Sequence, residues 1–155
     1  MSHVIAIANQ KGGVGKTTTA INLGASLAVA EKRTLVLDID PQGNATSGLG
    51  VKDPSSGPTI YNVLIGQTEI ADAIVERVHF PLLDVIPSTR DLVGAEIELV
   101  SAFSRETILR QALEPIRERY DYILVDCPPS LGLLTLNTLT AADSVLIPIQ
   151  CEFYA

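Results

Sequence analysis

Between Asn9 and Gly24 the chain reads NQKGGVGKTTTAINLG, a stretch that carries most of a phosphate-binding loop. The general pattern is G-x-x-x-x-G-K-[ST]. Counting back from Gly15-Lys16-Thr17, the first glycine falls at position 10, where Gln10 stands, and a second lysine, Lys11, follows it. Gly12, Gly13 and Gly15 allow the backbone to turn tightly and aim its N–H groups at phosphate oxygens. A helix opening directly afterwards adds its N-terminal partial positive charge. In this pattern Lys16 reaches the β- and γ-phosphates and the Thr17 hydroxyl ligates Mg²⁺, with Val14 and Thr18 completing the nucleotide-binding segment. A ligand-free Gly-rich turn is the bland alternative, and the strand-loop-helix context argues against it.

Phosphoryl transfer also needs a carboxylate near the metal and a group that positions the attacking water. Asp126 closes the apolar run YDYILVD and stands where such a metal-holding aspartate is expected. The DCPPSLG segment that contains it reads as a loop able to sense the γ-phosphate, stiffened by Pro128-Pro129 and pivoting at Gly132. Asp38 and Asp40 end a second strand. A lone strand-end aspartate is often only a turn or helix cap; three beside one phosphate loop favour a site.

The elements that must hold these residues alternate. Strands are expected at 3–8, 33–40, 82–88, 120–126 and 144–149, from short Val-, Ile- and Leu-rich runs. Helices are expected at 17–31, around 61–65 and 69–76, at 91–100, 105–120 and 132–142. Ala20, Ile21, Leu23, Leu27 and Ala28 stripe the first of these, and Ile108, Leu109, Ala112, Leu113 and Ile116 stripe the 105–120 helix, which Pro115 is expected to bend or split. Residues 41–50 and 51–58 are too rich in Gly, Asn, Ser and Pro to read as anything but loop. Alternating strands and helices make βαβ units and an α/β fold with a mostly parallel sheet covered on both faces.

With 155 residues the chain builds one core, a single domain over 1–155. Hydrophobic residues make up 46%, yet no apolar run reaches the roughly 18 residues of a spanning helix. The N-terminus enters a strand pattern without the features of a secretory leader, so a cytoplasmic protein is expected. A net charge of −7 argues against a strong nucleic-acid footprint on these residues. Cys127 and Cys151 read as small buried hydrophobes in a reducing compartment, and His3 and His79 stand isolated. The sequence stops directly after a strand, and the expectation is a domain truncated on its C-terminal side.

KGGVGKTT, DIDPQGNATSGLG and DCPPSLGLLTLNTL together resemble the ParA/Soj-type partitioning ATPases, within the deviant-Walker-A group that also holds MinD and the nitrogenase iron protein. The resemblance runs from Val4 to Ala155. It implies a three-layer P-loop NTPase fold, ATP/ADP and Mg²⁺ as ligands, and ATP hydrolysis that is slow until a partner stimulates it. It also gives Lys11 a role: in that group this lysine crosses an ATP-dependent homodimer interface to the phosphates in the facing subunit. By the same carry-over Asp40 orients the hydrolytic water and contributes at the metal, and Asp126 holds Mg²⁺ through water. Asp38 supports them; Gln42 and Asn44 have no role derivable from sequence. The implied partners are a ParB-type centromere-binding protein and nonspecific DNA, the latter mainly through a region beyond Ala155, with nucleoid association and no stable membrane attachment. Competing readings are a MinD-like membrane-associated ATPase that positions cell division, a hydrolysis-incompetent nucleotide-binding fragment, and a redox protein with a cluster held by Cys127 and Cys151. The placement of Cys127 directly after Asp126 matches the iron protein poorly.

Overall fold

The computed structural model describes residues 1–152. Five strands, β1 (His3–Ile7), β2 (Thr34–Asp38), β3 (Leu83–Ile86), β4 (Tyr122–Asp126) and β5 (Ser144–Leu146), form one sheet in the order β3-β2-β4-β1-β5. Every pairing between them is parallel. The crossovers carry helices α1 (Lys16–Val29), α2 (Asn44–Gly48), α3 (Ile60–Leu64), α4 (Leu92–Glu98), α5 (Ile108–Leu113) and α6 (Leu133–Ala141).

Side chains alternate across the sheet, and the two faces bury different partners. Leu35, Leu37, Ile123 and Val125 point to a cluster with Ile60, Leu92, Leu109, Leu113 and Leu134 from α3 to α6. Val36, Leu83, Val85 and Leu124 point the other way, to Ala20 and Ala28 of α1 and to Leu49. The result is three layers, as the strand-helix alternation predicts. α1 buries Ala20, Gly24 and Ala28, one small residue per turn, so its axis lies close to the sheet.

Register decides where the chemistry falls. Ile7 pairs with Asp126, and Asp126 pairs with Asp38, so β1, β4 and β2 end at one level. The order also places β4 between β1 and β2. Ligands of open α/β sheets lie outside such carboxyl ends.

Four stretches depart from expectation. Residues 41–50 are not all loop: Asn44–Gly48 is a short helix with Ala45 and Thr46 buried. Its first turn is capped from outside, because Asp38 Oδ2 accepts hydrogen bonds from Thr46 N at 2.8 Å and Thr46 Oγ1 at 2.6 Å. A cap supplied eight residues upstream by a strand is invisible to local patterning. The helix expected over 69–76 is only a 3₁₀ turn, Ile70–Ala73, because Val75 bridges antiparallel to Val85 of β3. The helix expected over 105–120 is α5 flanked by 3₁₀ turns, the second beginning at Glu114-Pro115, where proline ends the α-helical ladder. β5 stops at Leu146, short of 149, and Val145, Ile147 and Ile149 are exposed.

Candidate functional site

The loop between β1 and α1 is built by left-handed glycines. Gly13 has φ +69° and Gly15 φ +89°, a region costly for residues with a Cβ. A Cβ at either glycine would meet no atom of the described residues within 4 Å, so the backbone conformation, not crowding, requires them. Gly15 forms the N-cap of α1, and no side chain among the described residues caps that end. The unpaired N–H groups of the first turn are thereby left for a ligand.

The loop borders an open cavity of about 470 Å³, lined by Gly12 to Thr18 and by Asp40, Gln42, Asn44, Pro129 and Gln150. Most of the residues predicted from the phosphate-loop pattern therefore share one space with Asp40, which arrives from the end of β2. Lys16 is buried, 7% exposed, and its ammonium donates to the Lys11 carbonyl at 2.9 Å. Lys11 is exposed, its amide donating to Asn9 Oδ1, and it is not among the described residues that line the cavity.

Asp126 lies behind Thr17. It is fully buried, and its Oδ2 accepts a 2.8 Å hydrogen bond from Thr17 Oγ1. Its other oxygen, Oδ1, is buried with no hydrogen-bond partner among the described residues. Burial pushes the Asp126 carboxyl up to about 7; the Thr17 hydrogen bond pulls downward, and repulsion from Asp38 and Asp40 adds to the rise. Burial likewise raises Asp38 to about 6, against hydrogen bonds from Thr46 and from the Asp40 amide. Asp40 is 8% exposed, and its Oδ1 accepts from Gln42 N at 2.9 Å.

Three aspartates and a single buried ammonium meet at the strand ends, and an orphaned carboxyl oxygen sits behind a hydroxyl. That donor set suits a hard divalent cation, which takes oxygen ligands and keeps several waters. Among the described residues no trio of His, Cys, Asp or Glu is arranged as a metal cage. Mg²⁺ shared with phosphate oxygens needs none.

Pro129, expected in a loop that senses the γ-phosphate, borders the cavity; so do Gln150, which sequence reasoning missed, and Gln42 and Asn44, to which it gave no role. The two cysteines separate: Cys127 is buried, with a thiol that burial pushes up to about 12, whereas Cys151 is exposed and does not fit the buried-hydrophobe reading. No helix of the described residues is long and apolar enough to cross a membrane.

Residues 2–155 match a family model described as an AAA domain. The chain is 58% identical to the sporulation initiation inhibitor protein Soj of Bacillus subtilis, over 100% of its own length and 61% of that protein. It is 59% identical to the chromosome partitioning protein ParA of Myxococcus xanthus, covering 54% of that protein. It thus spans little more than half the length of these relatives. A solved structure named cobyrinic acid a,c-diamide synthase, from Mycobacterium smegmatis with bound ADP and magnesium, superposes with a TM-score of 0.94 at 45% identity, over 100% of this chain and 62% of that one.

Proposed function

The chain belongs to the AAA-domain family, and on that premise we propose that it is the nucleotide-binding and hydrolysing part of a partitioning ATPase. The observation that carries the reading is the Thr17–Asp126 hydrogen bond beside the glycine loop, with Asp126 Oδ1 left over. The partitioning relatives are more similar in sequence than the protein named as a diamide synthase, which favours their chemistry over amide formation.

In this reading the amides of Gly12 to Thr18 cradle the phosphates of ATP. Lys16 leaves the Lys11 carbonyl to neutralise the β- and γ-phosphates. Thr17 and Asp126 would hold Mg²⁺, with Asp40 contributing from the same cavity. When bound, the ion neutralises the charge that develops on the phosphoryl oxygens. Asp40 accepts a hydrogen bond from the attacking water and orients it in line. Lys11 reaches the nucleotide of a second subunit, so that the γ-phosphate ties dimer formation to ATP. The intact protein works in the cytoplasm on the nucleoid, with a ParB-type protein stimulating turnover and nonspecific DNA bound largely by the part of the relatives' length that this chain does not span. The domain over 1–155 is, accordingly, an incomplete ATPase domain.

The test is ATP hydrolysis by the full-length protein, with Mg²⁺ and with EDTA, alone and with DNA and the ParB-type protein. Slow Mg²⁺-dependent turnover that the partner raises severalfold supports the reading. Absence of any nucleotide binding overturns it.

A further inference from the structure

Asp40 is held by its backbone on both sides, and the two grips belong to one ring of hydrogen bonds. Its amide donates to Asp38 Oδ1 at 3.1 Å. Asp38 Oδ2 accepts from Thr46 Oγ1 at 2.6 Å. Thr46 Oγ1 in turn accepts from the Ser88 amide at 2.9 Å. Ser88 Oγ then donates to the Asp40 carbonyl at 2.7 Å, which closes the ring. Asp38, Thr46 and Ser88 are at most 2% exposed, and Asp40 is 8% exposed. Ser88 lies two residues past β3, the strand on the far side of β2 from the phosphate loop, and touches no part of the cavity.

We propose that Ser88 is a positioning residue for Asp40, acting through this ring together with Thr46 and Asp38. The ring joins the ends of β2 and β3 to the first turn of α2. It fixes both peptide groups of Asp40, and its backbone grips leave the Asp40 side chain to face the cavity. Buried, fully paired networks of this kind stiffen one another, and the loss of a single member loosens the rest. A general base must be held to within a fraction of an ångström of its water, and a misplacement of about 1 Å costs on the order of a hundredfold in rate. Ser88 makes no contact a nucleotide could share, so its removal acts on the chemical step and leaves nucleotide affinity in place. The kinetic part of this inference rests on the ATPase reading above; the positioning part does not.

The experiment uses the full-length protein. Ser88→Ala and Thr46→Val each break the ring at a different node, while Thr46→Ser keeps the hydroxyl. Both ring-breaking variants are expected to lose kcat by about tenfold or more, with KM for ATP changed by no more than about threefold. The double variant is expected to lose little beyond either single one, and Thr46→Ser to retain activity. Amide hydrogen exchange over residues 38–47, measured without nucleotide, is expected to quicken in Ser88→Ala while the sheet stays protected. A kcat within twofold of the parent, or additive losses in the double variant, overturns the kinetic part. Unchanged exchange over 38–47 overturns the positioning itself, and it does so even if the protein hydrolyses no ATP. If Ser88→Ala does not fold, the Thr46→Val and Thr46→Ser pair decides by the same criteria.

Discussion

Thr17 Oγ1 and Asp126 Oδ2 stand 2.8 Å apart, which joins the first turn of α1 to the last residue of β4 across the level where the strands end. The bond satisfies one oxygen of a carboxylate that has no exposed surface. Removing the hydroxyl therefore has two effects. Thr17→Val leaves a buried Asp126 with neither oxygen paired, which costs about 1–3 kcal/mol in denaturant unfolding without nucleotide. It also removes the proposed metal ligand, so nucleotide affinity in the presence of Mg²⁺ should fall at least about tenfold while affinity in EDTA changes little. Calorimetric titration with and without Mg²⁺ separates the two.

Asp126 also makes stability depend on pH. Burial raises its folded pKa to about 7, above its unfolded value near 3.9. A raised folded pKa gives a contribution that is full below the unfolded pKa and is lost as pH rises through the folded one. At pH 8 the ion is buried and charged, which costs on the order of a few kcal/mol. Asp126→Asn should accordingly melt above the parent at pH 8, with the gap narrowing as pH falls and closing only below about pH 4. Equal melting curves across that pH range would contradict the assignment of burial as the cause.

Gly24 sets the distance from α1 to the sheet. A Cβ built there lies 2.7 Å from Val36 Cγ2, on a stiff β-branched side chain of a fully buried strand. Replacing a mid-helix glycine by alanine normally gains about 1 kcal/mol in an exposed helix. Overpacking of a dense core costs about 1–3 kcal/mol, so the clash wins. Gly24→Ala is predicted to lower the urea midpoint rather than raise it.

Lys11 and Asp40 divide the proposed ATP cycle between them. In the full-length protein Lys11→Ala should retain ADP binding and lose ATP-dependent dimerisation. Asp40→Ala should dimerise with ATP and turn over at least about a hundredfold more slowly. Light scattering with ATP against ADP, run beside a phosphate-release assay, distinguishes the pair. A Lys11→Ala protein that dimerises normally with ATP removes the crossing role.

Much of the frame was legible because its signals are local. The β1–loop–α1 unit shows in the run HVIAIA, the glycines and the helical stripe, all within about thirty residues, and the structure reproduces it. The break at Pro115 shows too, since proline removes a donor whatever surrounds it. Residues 41–50 were misread because their composition is loop-like and the stabilising cap comes from Asp38, in another element. Val75 was misread as helical because its partner, Val85, lies on a strand edge that composition cannot reveal. Cys151 was misread as buried because apolar neighbours in sequence do not guarantee cover in space.

The sequence by itself determined the chemical inventory: a glycine-rich cradle, Lys16, Thr17, a second lysine and aspartates at strand ends, with the helix and strand periods that place each on its own element. Only the tertiary structure decided which of these meet. Inserting β4 between β1 and β2 brings Asp126 to Thr17, 109 residues apart in sequence. The same sheet order carries Ser88 to Asp40 across 48 residues. Strand order and register depend on how all the apolar faces pack at once, whereas residue type and period are properties of a single segment.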